Sequence, residues 1–128
     1  MEPMSGLWLA VGVGLAGACG AGARYLMVEW VARWWGGPIP VATLIINLTG
    51  AFALGLATSA LATPAQLPVR AVIGAGFLGG YTTFSTLSYE SLALARRGDM
   101  AYAWLNIGMS VVGGLLAAAL GLWLGQLL

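Results

Sequence analysis

Gly79-Gly80-Tyr81-Thr82-Thr83-Phe84-Ser85-Thr86-Leu87-Ser88-Tyr89-Glu90 decides the fold, because here an otherwise greasy chain turns polar. Two glycines, five Ser/Thr hydroxyls, two tyrosines and a carboxylate stand where the neighbouring sequence is almost entirely apolar. On either side the chain reads as membrane helix. Unpaired peptide groups at membrane depth cost several kcal/mol each, so irregular backbone survives there only where it lines a cavity or is buried in protein. A polar interruption of this kind marks a site.

Composition sets the class. Of 128 residues, 60% are hydrophobic and 7% charged, against about 25% charged in soluble domains. The apolar runs are continuous and do not alternate, so the expectation is an all-α integral membrane protein of one domain, not a barrel. The net charge of +1, from five arginines and four acids, implies neither nucleic acid nor a polybasic lipid patch. Histidine and lysine are absent, which removes the commonest metal ligand and general base. Cys19 has no second cysteine to pair with and reads as a small packing residue. Met1-Glu2-Pro3-Met4 lacks the basic region of a secretory signal, so the first span is expected to be retained.

Working outward from the polar stretch, the prolines and most charges divide the chain into four apolar blocks, expected as spans over about 7–31, 39–62, 70–95 and 100–126. Each has enough residues for a hydrocarbon core of about 30 Å at 1.5 Å per residue. The third has residues to spare, since some 26 residues make a straight helix of about 39 Å. That surplus accommodates a break near Gly79–Thr83, with Gly79-Gly80 as its expected seat. Arg33-Trp34-Trp35-Gly36-Gly37-Pro38 follows the first block as an interfacial turn, at the level where tryptophan is best solvated. The loops after the first and third blocks carry Arg33, Arg96 and Arg97 and the other side carries Arg70, a bias too small to orient the chain.

Small residues recur at four-residue spacing: Gly12, Ala16 and Gly20, with Gly14, Ala18 and Gly22 on the neighbouring face; Gly76 and Gly80; and Gly113, Ala117, Gly121 and Gly125. Such stripes let helix backbones approach closely in lipid. Four short helices hardly enclose a pore alone, so an oligomer is expected.

Several residues stand out against this background. Arg24 lies inside the first block, where an arginine costs roughly 2.5 to 3.5 kcal/mol on insertion scales; it either snorkels or fixes positive charge at a vestibule mouth. Thr43 and Asn47 share a helix face, as interhelical glue or as donors along a path. Tyr102, Asn106 and Ser110, at i, i+4 and i+8, form one polar stripe. Phe84 sits within the polar stretch, and the positive edge of its ring can meet an anion. Glu90 stands at the far end of the same path. Hydroxyls, an amide, an arginine and a ring edge favour an anion, while the carbonyls of a broken helix could hold a cation. Gly12-x-Gly14-x-x-Gly17 matches a dinucleotide fingerprint but sits inside a span without the strand that the fingerprint requires.

Gly17-Ala18…Arg24-Tyr25, then Thr43-Leu44-Ile45-Ile46-Asn47-Leu48-Thr49-Gly50-Ala51-Phe52, then Gly76-Phe77-Leu78-Gly79-Gly80-Tyr81-Thr82-Thr83-Phe84-Ser85-Thr86 together resemble the Fluc (CrcB) fluoride channel family over nearly the whole length. The resemblance implies an antiparallel, dual-topology homodimer in the plasma membrane, with two pathways for passive and selective fluoride export. It implies a sodium ion at the dimer centre, held by the carbonyls of Gly79 and Thr82. It places Arg24, Thr43, Asn47, Phe84, Ser85, Thr86, Leu87, Glu90, Tyr102, Asn106 and Ser110 along the fluoride pathway.

The chain departs from the family pattern at Leu87, where a second pore phenylalanine is usual, and at Asn106, usually serine. Ala42 replaces a common glycine and Ala51 a common serine. Conduction is expected to survive these changes. The rival reading is a small proton-coupled multidrug exporter, which needs a carboxylate at mid-span; Glu29 and Glu90 lie toward span ends. No nucleophile–base pair is visible, so an enzyme is not expected.

Overall fold

The computed structural model describes residues 5–128, and those residues form helices joined by short turns. The first helix, α1 (Gly6–Ala32), is capped by Ser5, whose hydroxyl accepts from the Trp8 amide at 3.5 Å. Helix α2 (Val41–Ala60) starts directly after Pro40. A single 3₁₀ turn, Pro64–Gln66, leads into α3 (Leu67–Ala71), with prolines at first-turn positions where a missing N–H costs nothing. Continuous with α3 are a π-helical stretch (Val72–Leu78) and a last turn, α4 (Gly79–Tyr81). After a two-residue gap come α5 (Phe84–Arg96) and α6 (Met100–Gly125). The turn between α5 and α6 holds Gly98 at φ 87°, with its N–H on Ala95 O at 3.1 Å and the Asp99 N–H on Leu94 O at 3.0 Å. That is the glycine-terminated cap in which two late carbonyls are satisfied at once.

Helices α1, α2 and α6 are each long and apolar enough to cross a membrane. The third segment, from α3 to α5, is divided by the gap between Tyr81 and Phe84. Helices α2 and α6 pack along each other, α1 packs on the π stretch and α4, and α5 lies on α6. Ile46, Leu78 and Tyr81 are buried at the centre, with Ala23, Met27, Ala53 and Phe77 packed around them. Few other apolar side chains are buried within the chain, and large ones such as Leu15, Trp104, Leu115 and Trp123 face outward. In water this would be an aggregating surface; in a bilayer it is the solvated one.

Glycine brings the α1 and third-segment backbones together. A Cβ on Gly20 would run into the Phe77 carbonyl oxygen, and one on Gly80 into the Gly17 carbonyl oxygen. The stripe containing Gly12 and Gly20 therefore faces the protein, whereas Gly14 and Gly22 meet nothing within 4 Å. Gly121 does for α6 against Phe52 of α2 what Gly20 does for α1.

Two expectations need correction. The backbone at Gly79 and Gly80 is helical; the helix opens one turn later, at Thr82 (φ −79°, ψ 159°) and Thr83 (φ −151°, ψ 118°). Gly80 is there for close approach to the Gly17 backbone, which a missing side chain permits in a helix as well as in a loop, while Gly79 borders a cavity. Cys19 is exposed and not packed. The stretch Met1–Met4 lies outside the described residues.

Candidate functional site

The extended pair Thr82–Thr83 removes two residues from the helical ladder, and the chain replaces what is lost with Asn47. Its Nδ2 donates to Thr83 O and its Oδ1 accepts from the Thr83 N–H, both at 2.9 Å. One carboxamide thus satisfies both peptide groups of a residue that is 8% exposed. The Thr83 hydroxyl caps α5, accepting from the Thr86 N–H at 3.2 Å and donating to Thr86 Oγ1 at 3.0 Å. On the helix before the gap, both the Thr82 N–H and the Thr82 hydroxyl donate to Leu78 O, at 2.9 Å each. Each buried peptide group left unpaired would cost about 1–3 kcal/mol, so Asn47 is what permits a non-helical backbone at this depth. The glue reading of Asn47 therefore holds. One of its two amide hydrogens is spent on Thr83, and the other remains for a second partner.

From the gap a seam of polar groups runs toward the α5–α6 turn. The Thr43 hydroxyl, nearly fully buried on α2, donates to Glu90 Oε1 at 2.9 Å. On the other side of α5, Asn106 Nδ2 donates to Ser91 Oγ at 2.9 Å, and the Ser91 hydroxyl donates to Leu87 O at 2.7 Å. Asn106 is completely buried and Ser110 nearly so. Three side-chain oxygens along this seam, Glu90 Oε2, Asn106 Oδ1 and Ser110 Oγ, are buried without a protein partner.

The remaining expected residues are distributed around this seam. Phe84 is 80% exposed, while Leu87, one turn on, is buried. Both line an outward-facing groove of about 410 Å³, whose walls include Leu92, Met100, Trp104 and Ile107. Ser85 is exposed, with its hydroxyl 3.3 Å from Thr83 Oγ1, and Thr86 is half-buried. Tyr102 is partly exposed, so the stripe it forms with Asn106 and Ser110 has two buried members and an open outer end. Arg24 is half-buried on α1, which packs chiefly against the first half of the third segment and not against the seam. Gly79 and Thr82 line a separate cavity of about 300 Å³ together with Asn47, Gly50, Leu54 and Leu78.

Two contributors were missed in the sequence. Ser91 links α5 to α6, and its signal was a lone hydroxyl within the apolar run that follows Glu90. Thr49 Oγ1 lies 3.0 Å from the Tyr81 hydroxyl, tying α2 to the turn before the gap; its place two residues after Asn47 gave no warning, since that spacing puts it on another face.

Over residues 11–122 the chain matches the family model described as "CrcB-like protein, Camphor Resistance (CrcB)". It is 41% identical over 118 residues to a protein of Hydrogenovibrio crunogenus named fluoride-specific ion channel FluC, covering 91% of this chain and 89% of that one. A protein of the same name from Acidobacterium capsulatum is 43% identical over 125 residues, covering 96% and 97% of the two chains. One from Anaeromyxobacter is 44% identical over 106 residues, or 81% and 84% of the two chains. With apolar membrane-length helices, a polar gap sealed by Asn47 and a match over nearly all its length, this chain belongs to the CrcB family of membrane ion channels.

Proposed function

We propose that the protein is a fluoride-selective channel that lets fluoride leave the cell passively across the plasma membrane, lowering cytoplasmic fluoride. It acts as a channel and not as an enzyme. The observation that carries this reading is the Asn47-sealed gap at Thr82–Thr83, set at the head of a buried polar seam in an otherwise apolar chain. The ion itself is taken from the relatives, which are named for fluoride. A small, strongly hydrated anion gives up water only for groups of positive polarity. The unspent Asn47 amide hydrogen, the Ser85 and Thr86 hydroxyls and the Phe84 ring edge are such groups. Thr43, Glu90, Tyr102, Asn106 and Ser110 continue the pathway toward one mouth. Arg24 draws anions from a vestibule.

The working unit in this proposal is an antiparallel, dual-topology homodimer. Phe84 and Ser85, at the edge of the gap, are exposed on the single chain. The open amides of this first turn of α5 and the Ser85 hydroxyl are poorly solvated by lipid, so this face needs protein over it, and the apolar groove beside it suits a second copy. The small charge asymmetry imposes no strong orientation, in keeping with dual topology.

A sodium ion at the dimer centre fits the residues present. In a continuous helix the Thr83 N–H would close on the Gly79 carbonyl, but here it goes to Asn47. The last carbonyls before the gap, Gly79 and Thr82 included, therefore lack continuing helical partners. Both residues line one cavity, and backbone carbonyls are suited to replacing the hydration of an alkali cation. When bound, the ion would supply positive charge that holds two such gaps together.

Vesicles containing the purified protein should release trapped fluoride, and far faster than chloride. Release no faster than from protein-free vesicles would refute the assignment; release of an aromatic cation driven by a proton gradient would establish the exporter instead.

A further inference from the structure

Asn106 is 0% exposed, and its carboxamide is only half used. Nδ2 donates to Ser91 Oγ at 2.9 Å, and Ser91 in turn donates to Leu87 O at 2.7 Å, so the Ser91 hydrogen is committed. Asn106 Oδ1 has no protein partner, and neither has Ser110 Oγ. Turning the amide over does not help. Oδ1 could then accept from Ser91 only if Leu87 O were released, and both Nδ2 hydrogens would be stranded instead. In either orientation one end of a fully buried amide is orphaned, at a cost of about 1–3 kcal/mol.

We propose that Asn106 and Ser110 together bind one internal water molecule, and that this water, not the Asn106 side chain, faces the ion. The two residues are four apart on α6, so their Cβ atoms lie about 5–6 Å apart on one face. Neighbours at that spacing can share a single water, which reaches each polar group with a hydrogen bond of ordinary length. It donates one hydrogen to Asn106 Oδ1 and accepts from the Ser110 hydroxyl, the two polarities these groups leave open. Its second hydrogen remains free. A bare carbonyl oxygen repels an anion, whereas a water anchored on that oxygen turns a donor toward it. Asn106 is then a positioning residue, and Ser91 holds its amide so that Oδ1 is the end left for the water. The water site stands on the buried orphan groups alone; its role toward the ion rests on the proposed fluoride pathway.

The test is a structure of the purified dimer in lipid at a resolution that shows ordered water, paired with fluoride efflux. The expected result is density within hydrogen-bonding distance of both Asn106 Oδ1 and Ser110 Oγ. Ser110→Ala should remove that density, leave the protein dimeric and slow efflux roughly two- to tenfold, the range set by one hydrogen bond of ordinary net strength. The proposal is overturned if the site holds no density, or if Ser110 Oγ has turned onto a carbonyl of its own helix. Density that disappears in Ser110→Ala with efflux unchanged overturns the role toward the ion. The density measurement does not depend on fluoride, so a wild-type protein that releases no fluoride defeats the channel reading and leaves the water site to be judged separately.

Discussion

Replacing Asn47 with leucine, which has the same branched skeleton of side-chain heavy atoms and no polar ones, removes the bond pair that closes the gap. The substitution deletes two hydrogen bonds of 2.9 Å and leaves both peptide groups of Thr83 unpaired, in a residue that is 8% exposed. At about 1–3 kcal/mol for each stranded group, the folded state loses about 2–6 kcal/mol. Asn47→Asp keeps the acceptor for the Thr83 N–H but exchanges the donor to Thr83 O for a second oxygen. It therefore fails at the carbonyl and not at the amide. Two readouts separate structure from conduction. Hydrogen exchange at the Thr83 amide, in protein held in lipid, should quicken by at least roughly thirtyfold in Asn47→Leu, from the lower bound of about 2 kcal/mol, and change much less in Asn47→Asp. Efflux should be lost in the leucine variant even in the fraction that remains a folded dimer. Unchanged exchange at Thr83 would refute the account of how the gap is held. Undiminished efflux from a folded dimer would remove Asn47 from the pathway.

Three further outcomes follow from the same contacts. Gly80→Ala drives a methyl group into the Gly17 carbonyl and should cost about 1–3 kcal/mol by overpacking, whereas Gly22→Ala, with nothing within 4 Å, should leave thermal stability in detergent unchanged; equal behaviour of the two would refute the assignment of faces on α1. Thr43→Val keeps the shape of the side chain while removing its bond to Glu90 Oε1. An ordinary hydrogen bond is worth about 0.5–1.5 kcal/mol net, so efflux or stability should fall, and wild-type values for both would show that the bond contributes nothing. Exchanging sodium for a bulky organic cation should slow efflux or dissociate the dimer if Gly79 and Thr82 hold the ion; identical flux and mass in the two salts would count against the site.

Much of this protein is legible in one dimension because a bilayer imposes one-dimensional rules. Helix must be apolar and continuous for about 20 residues, so four blocks and one polar interruption announce themselves, and the resemblance carried by the Gly79–Thr86 run names the family. The gap was legible only approximately. Gly79-Gly80 is the obvious place to break a helix by propensity, yet the chain opens at Thr82–Thr83. Breaking a helix in lipid depends on which peptide groups find new partners, and the partner, Asn47, lies 36 residues away. The same limit hid Ser91, whose meaning arises only when Asn106 of another helix reaches it. Periodicity placed Tyr102, Asn106 and Ser110 on one face of α6, but only packing against α2 and α5 decided that the inner two are buried and the outer one open. It likewise decided which glycine stripe of α1 meets protein: both have the same spacing, and only the approach of the Phe77 and Gly80 backbones tells them apart. Spacing along the chain determines the face a residue occupies; what it touches there is a property of the neighbouring helix.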